Sequence, residues 1–193
     1  MLARARVIIR GERPDLGRYV ALLRAVNLGK VNRISMPVLC GLLKDGGFHT
    51  ITSYLQSGNL VLDSDLTEPE TAAAMKAVIS DHFQLEIPVT LRSATAICKL
   101  AASDPFDLDP AERARLYVTF LSGEVDRDRV DSYVKCAHRS DKFLIAGNDV
   151  FIYCHGPYHL TNLGNAFWEK VSNNSATTRN WKTVAKLAAM AAG

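Results

Sequence analysis

The sequence predicts an α+β protein: a ferredoxin-like β-α-β-β-α-β unit followed by a second, smaller α+β subdomain. Three observations carry that expectation. Short β-branched and aromatic runs alternate with stripes of helical period along the first half. A capping box with proline in its first turn marks one helix start, and Gly46-Gly47 marks a helix stop. Gln56-Ser57-Gly58-Asn59 sits between two strand-like runs, as a hairpin turn should.

The elements follow in order. Arg18 to Val26 is apolar on both parities, which suits a central strand. Ser35 is a good N-cap, Pro37 fits the first turn, and Val38, Leu39, Leu42 and Leu43 supply the apolar stripe. Residues 48–55 and Leu60 to Asp63 are the two strands of the hairpin. Thr67-Glu68-Pro69-Glu70 opens the next helix, with Met75, Val78, Ile79, His82 and Phe83 at helical spacing. Ile87 to Leu91 is a strand opened by Pro88, hence at an edge. Beyond it the spacing predicts a helix over 94–103, a loop over 104–110, a strand over 115–121 and a helix over 124–137. A hairpin of 142–145 and 150–154 and two helices, near 161–171 and 178–190, close the chain. No internal repeat is evident. The division reads as a basic extension over 1–17, the first unit over 18–93 and the second over 94–193, packed together without a linker.

Composition narrows the class. The chain has 193 residues, 48% hydrophobic and 22% charged, the balance of an ordinary globular protein. No run of 18 apolar residues exists, so no membrane span is expected. The first residues carry arginines but only a short apolar stretch, which fails as a signal peptide. Cys40, Cys98, Cys136 and Cys154 form no CxxC pair and read as reduced thiols in a cytoplasmic setting. Cys40, Cys98 and Cys136 are expected to be buried and unpaired. The net charge is +3, concentrated at the two ends around an acidic middle, which permits an anionic partner.

Topology locates a candidate site. The loop after the first strand and the hairpin turn belong at one edge of the sheet, so Asn27, Gly29, Asn32 and Arg33 should meet Gln56, Ser57, Gly58 and Asn59. The helix start capped by Ser35 should face the same edge and suit an anion. A second candidate is Thr177-Thr178-Arg179-Asn180-Trp181, read as a helix start whose Arg179, Lys182 and Lys186 form a basic stripe, with Trp181 anchoring the core face. Each feature also has a plain structural reading, as turn chemistry or as a solvated helix face. Catalytic patterns are weak. Cys154 and His155 are strand neighbours and point to opposite faces, and Gly156-Pro157 prevents His155 and His159 from aligning on a helix. No phosphate loop, dinucleotide fingerprint or metal motif is present, so neither cofactor nor metal is expected, and enzymatic activity stays open.

The segments LLRAVNLGKVNRISM, SYLQSGNLVL and ATTRNWKTVAKL resemble the signature blocks of the bacterial domain-of-unknown-function 1697 family, from about Arg18 to Met190. The resemblance implies an α+β fold with a ferredoxin-like part and no established activity. It carries over to Arg24, Asn27, Gly29, Asn32, Gln56, Ser57, Gly58, Asn59, Thr178, Arg179, Asn180, Trp181 and Lys186. This chain departs from the family pattern at Ala25 and Lys30, where glycine is usual. At His159 it lacks the usual lysine, which would weaken an anion site unless the histidine is protonated.

The function expected from these readings is binding, with processing left open, of a small anionic ligand such as a nucleotide or another phosphate or carboxylate compound. The alternatives are nucleic-acid binding, favoured by the basic ends but lacking an aromatic strand motif, and an interaction module with no small ligand.

Overall fold

A computed structural model describes residues 17–103, 105–134 and 141–193. The expected extension, apart from Gly17, and Cys136 lie outside the described residues. Strand β1 (Gly17–Leu23) shows why its sequence is apolar on both parities: Val20 to Leu23 are wholly buried, with a layer against each face. It ends three residues earlier than the expected Val26.

The chain continues through α1 (Met36–Asp45), β2 (His49–Tyr54), β3 (Asn59–Ser64), α2 (Glu68–Phe83), β4 (Val89–Ser93) and α3 (Ala94–Ala101). These strands form one antiparallel sheet in the order β2-β3-β1-β4, with β4 at an edge as Pro88 requires. The Glu70 carboxylate accepts from the Thr67 N–H at 3.0 Å and its hydroxyl at 2.6 Å, so the expected cap forms. Ser35, by contrast, precedes α1 without a side-chain capping bond, and Pro37 at the second helical position has no N–H for it to cap.

The second half comprises β5 (Leu116–Leu121), α4 (Arg127–Val134), β6 (Lys142–Ala146), β7 (Asp149–Tyr153), α5 (Asn165–Ser172), β8 (Ala176–Asn180) and α6 (Trp181–Ala192). Its sheet is β6-β7-β5-β8, again antiparallel. Both halves therefore run β-α-β-β-α-β-α with the same strand order, so the fold repeats although no repeat was evident in the sequence. The correction turns on β8. Thr177, Thr178 and Arg179 pair with Phe120, Thr119 and Val118, so they are strand and not the first turn of a helix. Two adjacent β-branched threonines favour that outcome.

The core is layered. One face of the first sheet, through Ala21 and Leu23, packs with Leu39 and Leu43 of α1 and Met75 and Ile79 of α2. The opposite face, through Val20 and Leu22, meets Ile97 of α3, Val184 and Leu187 of α6, and Val118 and Phe120 of the second sheet. Beyond β5, Leu121 packs with Trp168 and Val171 of α5 and Val130 of α4. Trp168 is the fully buried tryptophan, donating from Nε1 to the Leu163 carbonyl at 2.9 Å, whereas Trp181 is half-buried. Cys154 is the buried thiol, while Cys40 and Cys98 are only half-buried; these three are unpaired. Among the described residues no helix is long and apolar enough to cross a membrane.

Candidate functional site

Asn27 ties the two loops at the edge of the first sheet together. Its Nδ2 donates to the Gln56 carbonyl at 2.7 Å and the Ile34 carbonyl at 2.9 Å, and its Oδ1 accepts from the Ile34 N–H at 3.0 Å. Asn32 holds the same loop from within, donating to the Ala25 carbonyl at 3.0 Å. Ala25, Asn27 and Asn32 all have left-handed φ angles, 55°, 54° and 49°. Asparagine tolerates that region, but alanine is strained there by about 1–2 kcal/mol. Glycine at residue 25, usual in the resembled family, would remove the strain. Gly29, at φ 59°, makes the exposed tip. Gly58 is required for two reasons: its φ is 77°, and a Cβ there would lie 2.5 Å from a Val26 methyl.

Arg179 reaches from β8 into this junction. Its Nε donates to Asn59 Oδ1 and its Nη1 to the Thr178 carbonyl. Nη2 serves three carbonyls: Leu23 at 2.9 Å, Ser57 at 2.9 Å and Gly58 at 3.3 Å. The guanidinium thus fastens the end of β1 and the Gln56–Asn59 turn to the second sheet. The expectation that Arg179 stands in the first turn of a helix is overturned. All of its partners are neutral, however, and among the described residues it has no carboxylate partner. Burial, with Arg24 nearby, pushes its pKa down to about 10, so it stays charged at neutral pH.

Arg24 supplies a second guanidinium, paired with Glu169 of α5 through Nε–Oε1 at 2.9 Å and Nη2–Oε2 at 3.3 Å. Between β8 and the two loops lies a cavity of about 300 Å³. Arg24, Ser57, Thr177, Thr178, Arg179 and Asn180 form its polar wall. Ala25, Val26, Leu28 and Leu55 form its apolar one. Thr178 Oγ1 is engaged, donating to Asn165 Oδ1 at 2.6 Å and lying 2.7 Å from Thr119 Oγ1. The Thr177 hydroxyl differs: the residue is 1% exposed and Oγ1 has no hydrogen-bond partner. Buried hydroxyls are seldom left so, and Thr177 is among the residues around the cavity.

The expected residues are therefore only partly brought together. Ser57, Thr178, Arg179, Asn180 and Arg24 share the cavity, while Asn27, Asn32, Gln56, Gly58 and Asn59 build its frame. Asn180 accepts from Thr183 N–H at 2.8 Å and caps α6. Lys186 and Lys182 are exposed on α6 and do not line this cavity, nor does His159. Sequence reasoning passed over Asn165 and Glu169, and placed Thr177 in a helix start where it is strand. Thr177 carried a signal, the paired threonines, whereas Glu169 is marked by nothing local. Among the described residues no cluster suits a metal ion.

The repeated fold supplies a built-in comparison. Arg92 stands in β4 where Arg179 stands in β8, and it grips the second half in the mirrored manner. It donates from Nη1 to the Leu91 carbonyl at 2.7 Å and from Nη2 to the carbonyls of Leu121 and Asn148 at 2.8 and 3.0 Å. Its terminal partner is a carboxylate, Asp149 Oδ1 at 2.7 Å from Nη2. A cavity of about 330 Å³ lies beside it too, containing Thr90, whose buried Oγ1 also lacks a partner, and Glu68. The two junctions match in geometry and differ in charge.

Comparisons with other proteins agree with this architecture. The structure of conserved bacterial protein SP0830 from Streptococcus pneumoniae superposes with a TM-score of 0.74. It is 22% identical over 92% of this chain and 99% of its own, a likeness of fold. No curated protein matches the chain. Residues 16–151 match the family described as "Protein of unknown function (DUF1697)". With that match covering more than half of its length, the chain belongs to the DUF1697 family.

Proposed function

We propose that this protein binds a small anion, a phosphate or a carboxylate, in the cavity between β8 and the loops 24–28 and 55–59. One observation carries the reading: two guanidinium groups border the cavity and, among the described residues, one carboxylate, Glu169, answers them. A buried charge without a counter-ion is unfavourable, and an anion entering the cavity supplies the missing partner. The Thr177 hydroxyl, buried beside the cavity, has no hydrogen-bond partner among the described residues. The matching cavity beside Arg92, where Asp149 already neutralises the guanidinium, has no such demand.

Thermal unfolding with inorganic phosphate and with acetate, at low and high sodium chloride, tests the reading. A ligand at 100 times its Kd adds about 2.7 kcal/mol. For a chain of this size that raises Tm by roughly 5–10 °C. The shift should vanish in Arg24→Gln and weaken in Thr177→Val, yet persist in Thr90→Val, which alters the other cavity. No shift in the native protein, or equal loss in Thr90→Val, would overturn the assignment.

A further inference from the structure

Resting on the anion reading, we infer that the ligand is amphipathic: its anionic group meets the arginine floor and a short aliphatic body lies between Leu28 and Leu55. Both leucines line the cavity, yet they are 59% and 55% exposed. Large aliphatic side chains held in solvent beside a cationic floor point to an apolar group that covers them. The backbone holds them there deliberately. Leu55 has a left-handed φ of 61°, which leucine rarely adopts. Leu28 stands on a tight turn closed by Val31 N–H to the Leu28 carbonyl at 3.0 Å, with Gly29 left-handed at its tip. The Asn27 bond to Gln56 brings the two leucine-bearing loops to one mouth.

Volume limits the body. A cavity of about 300 Å³ equals roughly ten water volumes, enough for a carboxylate or phosphate and a chain of about six carbons. A sugar phosphate would fill the space but leave its hydroxyls against leucine. An aliphatic acid or alkyl phosphate matches both walls.

Calorimetric titration of the full chain with acetate, butyrate, hexanoate and octanoate, and with hexanol, tests the inference. Affinity should rise about fourfold per methylene to hexanoate and then level off. Leu28→Ser and Leu55→Ser, both at exposed positions, should flatten that rise, lowering hexanoate affinity more than acetate affinity. Acetate and hexanoate binding equally, or ribose 5-phosphate binding more tightly than hexyl phosphate, would overturn the aliphatic body and leave the anion reading standing. Hexanol binding as tightly as hexanoate would overturn the anion reading itself. No binding by any member of the series would overturn both.

Discussion

Two neighbouring threonines should respond to the same substitution with opposite signs. Thr177 and Thr178 are adjacent in β8, but Thr178 Oγ1 bonds Asn165 and Thr119 whereas Thr177 Oγ1 bonds nothing. Valine keeps the β-branched shape and the strand preference of threonine and removes only the hydroxyl. A buried, unsatisfied hydroxyl costs about 1–3 kcal/mol, so Thr177→Val should stabilise the unliganded protein by about 1 kcal/mol. At Thr178 the change deletes two hydrogen bonds, each contributing about 1 kcal/mol, and strands polar atoms of Thr119 and Asn165, a loss of about 1–3 kcal/mol. The separation between the variants is then about 2–4 kcal/mol. Chains of this length shift by about 2–4 °C per kcal/mol, so their melting temperatures should differ by roughly 4–16 °C, with the native protein between them. Scanning calorimetry in a non-coordinating buffer, without phosphate or carboxylates, makes the measurement. If Thr177→Val melts below the native protein and beside Thr178→Val, the Thr177 hydroxyl is bonded in solution and the reasoning fails.

Two further outcomes follow from the same geometry. Arg179→Ala removes the donor of four hydrogen bonds that join the halves, so it should destabilise by about 3–5 kcal/mol in urea unfolding, where a surface helix residue would change little. Burial and the nearby Asp141 push the Cys154 thiol up to about 11 from its ordinary 9, so the unfolded chain releases that proton first. Stability should therefore fall between pH 9 and pH 11 by about 2 kcal/mol, a decline that Cys154→Ala lacks, and iodoacetamide should label Cys40 and Cys98 before Cys154.

What the sequence discloses depends on how local the cause is. The capping box at Thr67, the turn at Gln56 to Asn59 and the doubly buried β1 all follow from neighbouring residues, and all are found. That the loop after β1 meets the hairpin turn followed from strand order alone, and the Asn27 bond to Gln56 realises it. Strand β8 is only five residues long and runs directly into α6, so the helical period of Trp181, Val184 and Ala188 extends visually across it. Its identity comes from pairing with β5, more than fifty residues earlier. The pairing of Arg24 with Glu169 and the acceptors of Arg179 are equally remote along the chain, and no spacing rule reports them. The fold repeat leaves a faint trace, Thr90-Leu91-Arg92-Ser93 against Thr177-Thr178-Arg179-Asn180, too short to stand out before the strands are known.

That trace also explains why one junction is charged and the other is balanced. Both arginines grip a strand end and a hairpin turn of the opposite half, and both need an acceptor at the first residue of the returning strand. In the second half that residue is Asp149, whose carboxylate neutralises Arg92. In the first half it is Asn59, whose Nδ2 must donate to the Tyr54 carbonyl at 2.8 Å and to Ser57 Oγ at 3.0 Å to close the turn. An aspartate there would set a carboxylate oxygen against the Tyr54 carbonyl and lose that bond. The amide that makes this turn therefore denies Arg179 a counter-charge. Turn chemistry at residue 59, remote from β8 in the chain, thereby leaves one cavity cationic where its counterpart is balanced.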